Sequence, residues 1–165
     1  MRKYFVPYVG YSDAVDLLSA YRRWLSDIRP DLFVTLNFNR PLVINSAQNQ
    51  FKEWMGRTDR RILGCNWYKR PSHERTLALG VIENPTRNLH IHVAVKFPPK
   101  AAPLSRSRLL TILATSWEKL EPAGQFNSQP IDDVDRLGSY LFKQLTRRGH
   151  LEKCIVLSSD FHHPR

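Results

Sequence analysis

Cysteine is scarce in this chain. Cys65 and Cys154 are the only two, far apart and in no metal-like spacing. They are expected to be reduced, buried thiols of a cytoplasmic protein. Long hydrophobic runs are missing as well: no stretch approaches the ~18 apolar residues of a membrane span. The opening MRKYFVPYVG is basic but lacks the apolar segment and small-residue cleavage site of a secretory signal. There is no internal repeat and no low-complexity tract. Acidic residues are in deficit, 15 Asp and Glu against 25 Lys and Arg, which leaves a net charge of +10. Such an excess favours polyanions, and without a membrane segment nucleic acid is the better partner.

What remains is ordinary globular material, 42% hydrophobic and 24% charged over 165 residues. That length is expected to make one domain, 1–165, with no room for a large helicase or ATPase module. Residues 1–30 form its N-terminal segment and first helix, and 159–165 a mobile tail. Ser12 and Asp13 signal a helix start, the apolar series from Val15 to Ile28 has helical period, and Pro30 stops it. DLFVTLNFN (31–39) alternates like a strand. Asn45 or Ser46 is expected to cap a helix carrying Phe51, Trp54, Met55 and Ile62, followed by a basic loop or edge strand at 64–74.

RTLALGVIE (75–83) and NLHIHVAVKF (88–97) flank the turn-rich NPTR and predict an antiparallel hairpin. Ser105 opens a helix that ends before Pro122, and 124–131 is a further strand. Asp132 or Asp133 starts a helix running through Tyr140 to Leu145, and CIVLS (154–158) is a short closing strand. The fold class is therefore α+β, a central four- or five-stranded, mainly antiparallel sheet flanked by helices.

Three local features bear on chemistry. His90 and His92 lie two apart in a strand, so both imidazoles leave one face while Leu89, Ile91 and Val93 enter the other. Alone, such a pair also suits a merely solvated face. Glu83 falls opposite His90 if the hairpin closes symmetrically around 84–89. Two imidazoles and one carboxylate with open positions suit Mg²⁺ or Mn²⁺, although Glu83 alone would pass as an exposed strand-end charge. Tyr140 and Lys143 are three apart on a helix and share a face, with Gln144 beside them. A phenol becomes a useful nucleophile once an ammonium or a metal stabilises its phenolate; in isolation it would be an ordinary helix tyrosine.

Taken together over about 31–150, these residues resemble the HUH superfamily of single-strand DNA endonucleases, which includes rolling-circle replication initiators, relaxases and single-domain transposases. FVTLNF (33–38) looks like the apolar first-strand motif. LHIHVAV (89–95) looks like the His-hydrophobic-His motif, with Glu83 ahead of it, and YLFK (140–143) looks like the nucleophile motif. The resemblance implies a Mg²⁺ or Mn²⁺ ion on His90, His92 and Glu83 and in-line attack by Tyr140. It further implies a 5′-phosphotyrosine with a free 3′-OH, and Lys143 positioning the phosphate. The implied partner is single-stranded DNA, as an origin or a hairpin, with a host helicase supplying the unwinding.

The rolling-circle initiator is the favoured member. A single-domain transposase is the alternative, in which Gln144, four residues after Tyr140, replaces Glu83 as third metal ligand. A different class is a non-catalytic binder of single strands, using Trp54, Trp67, Tyr68, Trp117 and Phe126 with the basic stretches 57–61 and 69–75. Most of those aromatics are expected in the core. A structural metal site on His90, His92, His162 and His163 is a further alternative, weakened because the latter two sit in the terminal tail.

Overall fold

The structure is a computed structural model that describes residues 14–84, 87–143 and 154–161. Its elements run α1 (Ala14–Ile28), β1 (Leu32–Asn37), α2 (Ile44–Leu63), β2 (Leu77–Glu83), β3 (His90–Lys96), α3 (Arg106–Leu120), β4 (Gln125–Pro130), α4 (Val134–Phe142) and β5 (Ile155–Leu157). The strands form one sheet in the order β4-β1-β3-β2-β5. Every neighbouring pair is antiparallel. The α+β class and the antiparallel sheet flanked by helices are as expected, and the sheet has five strands.

Alternation along the strands separates two faces. In β1, Leu32, Val34 and Leu36 are buried while Phe33, Thr35 and Asn37 are half-buried. The buried set faces α2 and α3, whose Phe51, Trp54 and Trp117 are fully enclosed. Phe38 meets Trp117 edge-on, and the Trp54 indole N–H donates to the Leu113 carbonyl at 3.0 Å, which ties the two helices together. Trp54 and Trp117 are thus core residues, whereas Tyr68 is exposed and Trp67 and Phe126 are half-buried. Gly80 is required here: an added Cβ would sit 2.7 Å from Val156 and 3.0 Å from Ile91.

α1 and α4 pack on each other, and α4 approaches the opposite face of the sheet near its Phe33–Thr35–Asn37 side. Tyr21 of α1 stacks on Phe142 of α4, and Leu25, Leu137 and Leu141 are buried with them. Two helices thus cover one face, and the other is left partly open beyond α4.

The local signals account for several boundaries. Ser105 accepts a hydrogen bond from the Arg108 N–H and caps α3; Asp133 accepts from Asp135 and Arg136 and caps α4. Other expectations need correction. α2 begins at Ile44 with Val43 at the cap position and no side-chain cap, so Asn45 and Ser46 lie in its first turn. The chain leaves β1 through Asn39, at a φ of 54°, and has already turned into the helix before Asn45 is reached. Residues 64–74 hold two short 3₁₀ turns, Trp67–Lys69 and Ser72–Glu74, and no strand. Cys65 is exposed, because it follows the helix-terminating Gly64; only Cys154 is buried, and the two form no disulfide with each other. Residues 159–161, expected in a mobile tail, belong to the 3₁₀ turn Ser158–Phe161, whose Phe161 ring packs against Phe51. α4 ends at Phe142 with Lys143 at its C-cap, short of the expected Leu145, which, like the helix start at Ser12–Asp13, Gln144, His162 and His163, lies outside the described residues. Among the described residues no helix is long and apolar enough to cross a membrane.

Candidate metal centre and nucleophile

The β2–β3 pairing sets Glu83 directly opposite His90 and Val81 opposite His92. Cross-strand partners share a face, so Glu83, His90 and His92 converge on one side of the hairpin. The Nε2 atoms of His90 and His92 lie 3.4 Å and 3.6 Å from the same carboxylate oxygen, Oε2 of Glu83. One ligand atom from each of the three falls within 4.8 Å of the others, a group able to hold a metal ion. Glu83 and His92 are buried and His90 is half-buried, so the centre has one accessible side.

Both rings are held from behind. The Asn88 carbonyl lies 3.0 Å from His90 Nδ1, and a carbonyl can only accept. Nδ1 therefore carries a proton, which leaves Nε2 as the ligand atom facing Glu83. Nδ1 of His92 lies 3.0 Å from the Thr35 hydroxyl, its cross-strand neighbour on β1. Outer contacts of this kind fix the tautomer and the ring plane of a metal-binding histidine. Thr35 was visible in the sequence only as one position of an alternating strand, since its partner depends on the β1–β3 register.

Electrostatics follow the same geometry. Burial would raise the Glu83 carboxyl, but hydrogen bonds from His90 and His92, with their positive charge, outweigh it and bring it from the ordinary 4.5 to about 2. The hydrogen bond to Glu83 raises His90 above its ordinary 6.5, against the opposing effect of burial. Without a metal the site is therefore an ion pair at mildly acid pH. The Glu83 contribution to stability is complete above 4.5 and lost as pH falls toward about 2. The His90 contribution is complete below 6.5 and lost as pH rises through its raised value.

A metal ion must displace the His90 proton. Its affinity is expected to climb by up to about tenfold per pH unit until that proton has gone. The increase in melting temperature caused by Mn²⁺, measured from pH 5 to pH 8, should grow steadily; an increase independent of pH would rule out His90 as a ligand.

Tyr140 of α4 arrives from the other side of the open face. Its ring centroid is 5.4 Å from that of His92 and 5.8 Å from Phe33, which itself stacks on His92 at 5.4 Å. Phe33 thus packs against both rings and supports their contact, a role the sequence did not disclose. Tyr140 is 52% exposed. Lys143 lies at the C-terminal cap of α4, one turn on and exposed. The structure brings Glu83, His90, His92 and Tyr140 into one region, with Lys143 at its margin.

Beyond Tyr140 the same face continues onto β4. Phe33, Thr35 and Asn37 pair with Gln129, Asn127 and Gln125, three exposed amides in a row. Searches against protein-family models, curated proteins and solved structures returned no match to this chain.

Proposed function

We propose that this protein nicks and rejoins single-stranded DNA through a covalent tyrosine intermediate, with Glu83, His90 and His92 holding Mg²⁺ or Mn²⁺. The observation that carries this reading is the placement of the Tyr140 ring beside His92 on the one accessible side of a two-histidine, one-carboxylate group. Two imidazoles and a carboxylate on one side leave coordination positions for phosphate oxygens, and the ion supplies Lewis-acid polarisation of the scissile phosphate.

The chain's own residues do the rest. Tyr140 Oη gives up its proton and bonds to phosphorus as the P–O3′ bond breaks, and O3′ takes up a proton. One phosphoester replaces another, so no nucleotide hydrolysis is needed and the reverse reaction rejoins the strand. Lys143, on the Tyr140 side of α4, favours the phenolate and the phosphate by its charge. The amides of Gln125, Asn127 and Gln129 offer donors and acceptors to unpaired bases, and the net charge of +10 favours the backbone.

Rolling-circle initiation is the favoured role, because Glu83 lies within the metal-binding group. The test is incubation with a labelled pool of single-stranded oligonucleotides and Mn²⁺. A protein–DNA adduct that survives denaturation and requires the metal is expected. Its absence across single strands and hairpins of many sequences would overturn the nicking activity and leave a non-catalytic binder.

A further inference from the structure

A separate cleft lies alongside the metal-binding group. One wall is the chain leaving β1, Asn39 to Leu42; the other is the end of the β2–β3 loop, Arg87 to Leu89; together they enclose about 390 Å³. The cleft lies at the end of the sheet that carries the triad, though none of the three side chains lines it. Asn37, at the end of β1, pairs with His90, and Asn88 in the far wall supplies the carbonyl that orients the His90 ring.

Each wall carries a guanidinium, and that of Arg40 is anchored. Arg40 donates from Nε and one terminal nitrogen to the two oxygens of Glu121, at 2.7 Å and 2.6 Å. The Glu121 side chain is only 5% exposed, whereas that of Arg40 is 40% exposed. A guanidinium has five N–H donors in a rigid fork. A buried carboxylate therefore holds one edge of Arg40 and leaves the other edge available in a set orientation.

Arg87, opposite, is exposed, and its side chain makes no hydrogen bond or ion pair with the described residues. No acidic residue lines the cleft. Asn39 and Asn88 hold left-handed backbone, at φ of 54° and 57°, and the Asn39 amide donates to the Ala123 carbonyl. Left-handed non-glycine residues carry strain that surrounding contacts must hold in place, and they concentrate at ligand sites.

We propose that this cleft is a phosphate subsite: Arg87 and Arg40 grip a backbone phosphate of the single strand neighbouring the one placed at Glu83, His90 and His92. It rests on the nicking function proposed above and adds what sets the register of the strand. Holding the adjacent phosphate determines which phosphodiester lies before Tyr140. A guanidinium fork suits a phosphate bidentately, with the Arg40 fork held in place by Glu121, where lysines would offer only a point charge.

The test is a scan with neutral linkages. A fluorescent single strand is prepared with one methylphosphonate at a time, and its binding to the full chain is measured in Mn²⁺ beside adduct formation. In the wild-type protein one or two linkages next to the cleavage position should weaken binding by about tenfold. Arg87→Ala should weaken binding of the unmodified strand by a similar factor and lower the salt slope by about 0.7. It should also erase the penalty at those linkages. Arg87 is exposed, so this variant should fold, and its melting temperature and Mn²⁺ affinity should match the wild type.

Unchanged affinity in Arg87→Ala, or a penalty that persists there, overturns the subsite; an adduct in the same samples leaves nicking standing. A penalty that vanishes, with no adduct even in the wild type, upholds the subsite and overturns nicking. A wild-type protein that binds no single strand overturns both.

Discussion

Tyr140→Phe is expected to form no covalent adduct with single-stranded DNA while binding it within about twofold of the wild-type affinity. The substitution removes one oxygen and keeps the ring that meets Phe33 edge-on and lies beside His92. Tyr140 is more than half exposed, and no hydrogen bond among the described residues ties its hydroxyl, so folding should lose less than about 0.5 kcal/mol. The loss belongs to the chemical step alone. Without the attacking atom, strand transfer should fall by at least about 10³-fold. Gel analysis of the denatured protein reads adduct formation, and fluorescence anisotropy reads binding. An adduct formed by Tyr140→Phe would place the nucleophile on another residue and separate the metal group from the chemistry proposed for it.

The second large effect concerns the ion. Glu83→Gln keeps the shape of the side chain but removes the charge on which both imidazoles converge. Mn²⁺ affinity, measured calorimetrically, should fall by about 10²-fold or more, since a neutral amide oxygen replaces the only anionic ligand. Adduct formation should fall with it at limiting Mn²⁺ and recover in part at high Mn²⁺. The same variant removes the partner that raises His90, so the pH dependence of metal-free stability above pH 6.5 should flatten. Gln144→Ala is the companion measurement. It should leave Mn²⁺ affinity within about threefold if Glu83 is the third ligand. A loss confined to Gln144→Ala would exchange the two and favour the transposase alternative.

Much of the site was legible because it is local. Glu83, the turn-rich NPTR and the His-x-His pair lie on two adjacent strands, and the length of the link determines their register. Caps at Ser105 and Asp133 were legible for the same reason, each being a side chain bonded to an N–H two or three residues on. What stayed hidden depends on distant pairing. Thr35 reaches His92 only through the β1–β3 register, and Phe33 meets Tyr140 only once α4 has docked. Arg40 and Glu121 carry no mutual signal, yet they make one of the tightest ion pairs in the structure. The start of α2 was misjudged because two polar residues resembled a cap, while the turn through Asn39 had already aimed the chain into the helix.

The hairpin bears all three side chains of the candidate metal site, and its strands lie inside the sheet, β3 between β1 and β2, and β2 between β3 and β5. Opening that hairpin means dismantling the molecule. Tyr140 sits instead on the nine-residue α4, which leans on α1. Proteins open in local units with unequal free energies. The two halves of the chemistry should therefore separate reversibly, α1 and α4 lifting away while the ion stays in place. Amide exchange in Mn²⁺ would register this as early labelling of α4 against late labelling of β2 and β3. Under the proposed nicking function, a strand held covalently and then released would gain from a nucleophile that can leave its ion.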